Sequence, residues 1–549
     1  MKKTLLFVLM LAMLLVTFLP GCGKSEEGTT PSGETPQTPA GEEGKETGDD
    51  EEGTLGMSWQ RDTSPITFSM FIDHDWYAVD TWGNDDVSKE ITKRTGVSLD
   101  VIKATDPNQL QVLLAGDELT ELVFTSTLVE RFHNPDICYR WDELIDEYCP
   151  DFWDLVDPIT IVNNTADDGH IYTFKTHFSS DEQWEDPRNL PSPGTSGFYV
   201  RQDILEQLGN PPLETLDDLV NIFRMVQEKF PDMIVYIPHP QWTPPFLQWM
   251  GLFPPGSQYP EGDKVYLGLS QPDLVEYYKF YNMLIREKFT NIEYQTYKPE
   301  QFFQIVRSGE VFAAHYNSGL ADDTNKVFRD QGIDGWFIPI IEPLKVDGEI
   351  KYKLLQWSVG WSSTFITKKC KNPERAILFM QFLRSPEGDQ LTQWGIEGVH
   401  YTLTEDGLLK RPEGFTELTT QETGIGPWYF QASGLGEGVA VSSGKINNPE
   451  FSQGVDLLRA VKPYVIRDFA LNFVTPKAET EEMNILVKIN ELINTSQPGI
   501  IGAASEEEAV QKFNEMIENA EKLGLRRLEE YMTEEYQKAK KRYEEFQNK

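Results

Sequence analysis

Short runs of β-forming residues alternate with helix-length runs from Ile66 onward, and this alternation constrains the fold more than any other feature of the chain. Residues 66–72, Ile-Thr-Phe-Ser-Met-Phe-Ile, alternate apolar and polar side chains and are rich in β-formers, which predicts a strand. Residues 85–95 read as a helix closed by Gly96, and 97–102 as a second strand. Residues 107–115 place Leu110, Leu113 and Leu114 on one helical face before Gly116 stops it, and 121–125 give a third strand. Strands joined by helices of this length predict a parallel sheet covered on both faces, the α/β class. The pattern resumes with a strand at 197–201, Thr215 as N-cap of a helix over 216–229, a strand at 309–316, and a unit running from Trp357 through Phe365 into a helix over 373–383. From about Glu506 the chain is heavily charged, lacks proline, and carries Val510, Phe513, Met516 and Ile517 at helical spacing. That predicts an amphipathic surface helix rather than a coiled coil.

Before residue 57 the chain reads as a targeting segment and a tether. Lys2 and Lys3 precede an almost purely apolar stretch from Leu5 to Leu19, broken at Pro20-Gly21-Cys22. This is the layout of a secretory signal, shorter than the ~20 residues of a membrane helix. A cysteine directly after Leu-Pro-Gly resembles the bacterial lipobox, which predicts cleavage after residue 21 and acylation of Cys22. Residues 22–56 are mostly Gly, Glu, Thr, Pro and Ser and are expected to form a disordered acidic linker. The body is therefore expected outside the cytoplasm, held at the cell membrane by its lipid.

Charge and cysteine usage exclude whole classes of function. Of the net charge of −39, the signal contributes +2 and residues 23–56 contribute −8, which leaves −33 on the folded body. Nucleic acid and anionic lipid attract basic faces, so neither is a partner for this one. Beyond Cys22 there remain Cys138, Cys149 and Cys370, with no C-x-x-C pair; an exported setting permits a Cys138–Cys149 disulfide. The seven histidines are scattered without an H-E-x-x-H pair, and there is no G-x-S-x-G, phosphate loop or dinucleotide fingerprint. Neither a metal nor a cofactor is expected. A glycan-cleaving enzyme remains the alternative, because paired carboxylates and sugar sites look alike in sequence.

The order of several motifs resembles a known family: T-G-V-S-L-D, L-L-A-G-D-E-L-T-E-L-V-F, G-H-I-Y, Y-V-R-Q-D-I-L-E-Q-L-G-N-P-P-L-E-T-L-D-D-L, S-G-E-V-F-A-A-H-Y and C-K-N-P-E-R-A-I-L-F-M-Q-F-L-R-S-P-E-G. Together with the lipobox and the acidic linker, they are similar to the lipoprotein extracellular solute-binding proteins of carbohydrate ABC transporters. The likeness runs from about residue 60 to 500 and is strongest to the large members found in Bacillus- and Paenibacillus-like bacteria. The resemblance implies a monomer of two α/β lobes, the type II periplasmic-binding-protein-like fold. A hinge would close the lobes on a sugar, and an ABC permease would receive it. It implies a first lobe of 57–178 plus 346–397 and a second of 179–345 plus 398–549. The same fold with a peptide or another small polar solute is the further alternative.

A sugar cleft needs short polar side chains beside flat aromatic rings. The loop after the first strand crowds His74, Asp75, Trp76, Tyr77, Asp80 and Trp82 at the carboxyl end of a strand, where α/β sheets bind ligands. Asp75, Trp76 and Trp82 are candidate contacts there, and Thr125 and Ser126 end the third strand in the same way. Asn317 and Ser318 follow a strand in a position where the resemblance implies ligand contacts. Trp357 and Trp361 fall near the implied crossover between lobes, where stacking on a sugar ring and packing in a core are both open. Trp242 and Trp428 occupy Pro/Gly-flanked loops and are expected at the surface, capping the cleft from the second lobe. Maltose-type relatives carry a tyrosine where Val200 stands here, so Tyr199 is the candidate replacement. Trp141, Trp153 and Trp394 sit among helical apolar positions and are expected in the core.

Overall fold

The computed structural model describes residues 56–415, 418–477 and 479–547. Cys22, the signal segment and all of the acidic linker but Gly56 lie outside the described residues.

Strand β1 (Ile66–Ile72) pairs in parallel along its whole length with β2 (Val97–Lys103). Helix α1 (Asp86–Thr95) connects them; the Asp85 carboxylate accepts from the Ser88 amide at its start, and Gly96 closes it at φ 73°, a conformation that favours glycine. Helix α2 (Gln109–Ala115) then leads to β3 (Leu122–Thr125), again parallel to β1. This is the βαβαβ unit expected from the alternation.

The second sheet departs from that expectation. Strand β4 (Gly197–Arg201) is followed by helix α3 (Leu216–Lys229), β5 (Ile234–Ile237), β6 (Val311–Tyr316) and β7 (Phe337–Pro339), in the order β5-β6-β4-β7. Only β5 and β6 are parallel, and β4 runs antiparallel to both its neighbours. The chain then leaves through β8 (Leu354–Gln356), and β9 (Ser363–Ile366) adds to the free edge of β3 in the first sheet, also antiparallel. The cause is the direction of arrival. A chain that enters a sheet from another body, instead of through a crossover helix on the same sheet, is free to run against its neighbours.

Two large cores accompany the two sheets. One gathers Phe68, Ile72, Trp141, Phe174, Ile366 and Phe379; the other gathers Tyr199, Phe223, Tyr236, Phe312, Phe337 and Ile489. Trp428 and Phe430 belong to the first core, which corrects the expectation that everything beyond residue 397 sits with the second. The chain therefore passes between the cores three times, and the passages run side by side. The Thr176 amide donates to the Ser362 carbonyl, His177 to that of Ala432, and Gly434 to that of Phe178. Helix α4 (Gly434–Ser442) starts at that last contact, and β8 pairs in parallel with β10 (Val465–Arg467). Phe178 and Val359, from the first two passages, pack with Phe469, which follows β10. Gly360 has φ 108°, and a Cβ there would lie 2.3 Å from the Thr176 carbonyl oxygen, so the passages are in backbone contact.

Helices α5 (Glu481–Ile501), α6 (Glu506–Leu523) and α7 (Leu525–Gln547) lay their apolar stripes on the second core through Ile489, Phe513, Met516, Leu528 and Met532. They are amphipathic surface helices with no coiled-coil partner among the described residues. Among those residues no helix is long and apolar enough to cross a membrane. Cys138, Cys149 and Cys370 are buried free thiols, so the disulfide that the sequence permits is not formed. Burial pushes the Cys149 and Cys370 thiols up to about 12, which leaves them unreactive.

Candidate functional site

At the carboxyl ends of β1 and β3 the chain builds an aromatic wall. The loop after β1 is fastened by Asp73, which is buried and whose Oδ2 accepts from the hydroxyls of Thr125 (2.8 Å) and Thr127 (2.6 Å). That anchor fixes His74, whose ring stacks on Trp76 at 4.9 Å and lies 5.3 Å from Trp361. Trp76 and Trp361 are stacked at 6.1 Å. Trp76 is 64% exposed and Trp361 38%, so the stack offers open ring faces to solvent. Behind it Tyr429 lies 6.0 Å from Trp361 and 4.8 Å from His177, and the Tyr77 hydroxyl donates to the Pro427 carbonyl.

The two histidines of the wall are kept uncharged by burial. Burial lowers His74, although Asp73 and Asp75 act the other way, and burial pushes His177 down to about 4. Neutral His177 accepts the Trp361 indole N–H at its Nδ1 (3.1 Å), which holds Trp361 in place. His177 itself has φ 62°, a left-handed conformation uncommon for a non-glycine residue and concentrated at functional positions.

Four residues before Trp361, Trp357 lines a cavity of about 580 Å³ with Thr195, Ser196, Gln241, Trp242, Gln248 and Gln356. The size suits a small ligand. The Trp242 loop is fixed to the end of β6. The Tyr236 hydroxyl donates to Nδ1 of His315 (2.8 Å), whose Nε2 donates to the Trp242 carbonyl (2.9 Å), and burial keeps that imidazole neutral by pushing it down to about 3. Trp242 also meets Tyr316 edge-on at 5.0 Å. The side-chain oxygens of Gln248 and Gln356 are buried without a hydrogen-bond partner, which leaves two unpaired acceptors on residues that line the cavity. Indole faces beside unsatisfied amides can take C–H faces and hydroxyl groups at once.

The structure brings Trp76 and Trp361 together in the wall, and Trp242 and Trp357 together in the cavity. The other candidates are placed differently. Trp428 is fully buried, with its indole N–H donating to Asp85 Oδ2 at 3.1 Å, so the surface position expected of it is corrected. Its Pro/Gly flanks do make a loop, but one covered by the first core. Trp82 packs edge-on against Trp428 at 4.8 Å and donates to Thr92 Oγ1. Tyr199 is fully buried and spends its hydroxyl on the Asn317 carbonyl (2.7 Å); it braces the end of β6 from within the sheet. Thr125 is buried on Asp73, and Ser318 on the Pro193 carbonyl. Asn317 is half-buried and its Oδ1 accepts from the Gly319 amide, while Asp75 and Ser126 are exposed. Trp141 and Trp394 are buried as expected, and Trp153 is partly buried against the first core. Sequence reasoning missed His177, Tyr429, Gln248 and Gln356. Tyr429, beside the Trp428 that was singled out, offered the one usable signal. Among the described residues no three His, Cys, Asp or Glu side chains gather as a metal site.

Residues 151–390 match the bacterial extracellular solute-binding protein family. Solved structures similar to the chain include the alginate-binding protein AlgQ2 without calcium ion (18% identity, 86% of this chain and 98% of the other, TM-score 0.62). They also include the S. pneumoniae ABC-transporter substrate binding protein FusA in complex with kestose (14%, 87% and 100%, TM-score 0.61). A third is an HMO-binding, ABC-transporter-associated solute-binding protein from Bifidobacterium longum infantis (15%, 86% and 99%, TM-score 0.60). At such identities the likeness establishes the fold, a two-lobed type II α/β architecture. No curated protein sequence matches the chain significantly.

Proposed function

We propose that this protein is a lipid-anchored extracellular solute-binding receptor that captures an oligosaccharide or related sugar between its two lobes and delivers it to an ABC permease. The anchor is Cys22, the leash is the linker to residue 56, and the receptor acts as a monomer. The first lobe takes 57–178 and 346–397 and the second 179–345 and the remainder, with Trp428 and Phe430 returned to the first. One observation carries the reading: the solvent-open Trp76–Trp361 stack at the strand ends, continued through residues 357–361 into a cavity with Trp242 and two unsatisfied glutamines. The structural neighbours, named for alginate, kestose and HMO binding, support a saccharide as the solute class.

The test is a titration of the purified protein with a glycan panel, followed by tryptophan fluorescence and melting temperature. A ligand that binds only the folded state raises stability as RT ln(1 + [L]/Kd), about 2.7 kcal/mol at a hundredfold excess over Kd. A shift with peptides and none with any glycan overturns the sugar reading. Steady release of cleaved product from oligosaccharides overturns the receptor.

A further inference from the structure

A second cavity adjoins the one lined by Trp357. It holds about 170 Å³, and its lining begins at Pro238, the residue after β5. The carboxyl end of a strand is where α/β sheets bind ligands. Gln241, Trp242 and Thr243 line both cavities, so the loop that bears Trp242 is their common wall. That wall is fastened at two points: the Gln241 amide donates to Nδ1 of His239 (3.2 Å), and His315 holds the Trp242 carbonyl. The opposite side is fastened too. Tyr281, from the helix Leu274–Arg286, is buried, and its hydroxyl accepts from Gln295 Nε2 (3.1 Å). The shape is thus built into the fold. A cavity of about 150 Å³ takes up a benzene ring, so this one suits a single six-membered ring.

Its lining includes no Asp, Glu, Lys or Arg. His239 belongs to the lining, and burial pushes its ring down to about 4, so it adds no charge either. Four prolines, Pro238, Pro240, Pro244 and Pro255, bring apolar surface and no N–H. Polar groups come instead from the amides of Gln241, Gln295 and Gln497, set beside Tyr277 and Tyr281. Gln497 is half-buried in α5 and makes no hydrogen bond with a described residue, so its amide is unspent. Amides donate and accept as sugar hydroxyls do, and prolines and aromatic rings suit the C–H faces of a sugar.

We propose that this cavity is a second saccharide subsite, reached along Trp242 from the Trp357 cavity, and that it takes one uncharged sugar ring at the end of the ligand. A uronate or an amino sugar finds no opposite charge in the lining, and a charge buried without a partner is costly. The proposal rests on the saccharide reading given above and narrows it to oligosaccharides that end in a neutral unit.

The test is calorimetric titration of the full mature protein with gluco-, galacto-, fructo- and N-acetylglucosamine oligomers of two and four units, and with the same four-unit chains ending in a uronate. In the native protein the neutral four-unit ligand binds about tenfold or more tightly than its two-unit form, the scale of one further buried ring, and by a similar factor more tightly than its uronate-ended form. Gln497→Trp fills the cavity and removes the advantage of length, while two-unit affinity stays within about threefold. Gln497→Lys supplies a counter-charge and brings the uronate-ended chain to within about threefold of the neutral one. Equal binding of two and four units by the native protein overturns the proposal and leaves the saccharide reading standing. So does an advantage of length that survives Gln497→Trp, or a uronate penalty that Gln497→Lys leaves untouched. Failure of every saccharide overturns the saccharide reading itself.

Discussion

Glu437, in the first turn of α4, is half-buried and forms no hydrogen bond or ion pair with any described residue, so Glu437→Gln makes a prediction about the free protein that needs no ligand. In the folded state the Glu437 carboxyl keeps its proton up to about pH 7, whereas in the unfolded chain it releases it near 4.5. The folded state thus binds the proton more tightly, and below 4.5, where both states are protonated, the carboxyl carries no penalty. As the pH rises from 4.5 to 7 the unfolded chain ionises freely while the folded one resists, and stability falls across that window. A rise from 4.5 to about 7 corresponds to about 3 kcal/mol, fully expressed at pH 8. Glutamine has nearly the same shape and does not ionise. Glu437→Gln should therefore be more stable than the native protein by about 2–3 kcal/mol at pH 8 and by less than about 1 kcal/mol at pH 5. Asp389 is also buried and pushed up to about 6, but it is present in both proteins and cancels in the difference. Urea denaturation of both proteins at the two pH values, read by far-UV circular dichroism, measures the quantity. Equal stabilities at pH 8, or a gain of the same size at pH 5, would refute the argument that this carboxylate is held away from water without a counter-charge.

Three further outcomes follow from the geometry. Gly360→Ala places a Cβ 2.3 Å from the Thr176 carbonyl at φ 108°, so it should cost about 2–4 kcal/mol and lower the melting temperature as the passages are forced apart. Trp428→Ala empties a fully buried site in the first core and should cost about 3–5 kcal/mol, with glycan affinity of the folded protein unchanged by titration. Trp76→Ala should do the reverse: its ring is 64% exposed, so stability should move by no more than about 0.5 kcal/mol. Glycan affinity should fall about tenfold, as expected for loss of one stacked ring.

The parts of this molecule that were legible in its sequence are those whose cause is local. The βαβαβ unit was readable because β1, α1 and β2 each carry their own pattern and caps, with Asp85 and Gly96 marking the ends of α1. Strand direction in β4 and β9 was not, because it depends on where the chain comes from. Trp76 was legible as a candidate contact because it follows the carboxyl end of β1 within a few residues. Trp428 misled because proline and glycine signal a loop without saying what covers it; here Tyr77 reaches across and binds the Pro427 carbonyl. Tyr199 misled in a different way, since alternation along β4 does not reveal that both faces of that strand are buried. Glu437 could not be found from sequence, because what marks it is the lack of neighbours that would neutralise it.

The threefold passage of the chain has a consequence for how the protein comes into being. The first core takes its earliest residues from Trp59 and its last from Phe430, and the second runs from Phe198 to Ala539. A chain that emerges amino end first therefore finishes neither large core until about four-fifths of it has appeared, and the second not until nearly all of it has. Pairings this distant in sequence form slowly. During that interval β1, β2 and β3 stand as a three-stranded sheet whose β3 edge is exposed to other chains until β9 arrives to cover it. The fold thus keeps the polypeptide loose for the length of its synthesis, the condition under which a chain can be threaded through a narrow pore.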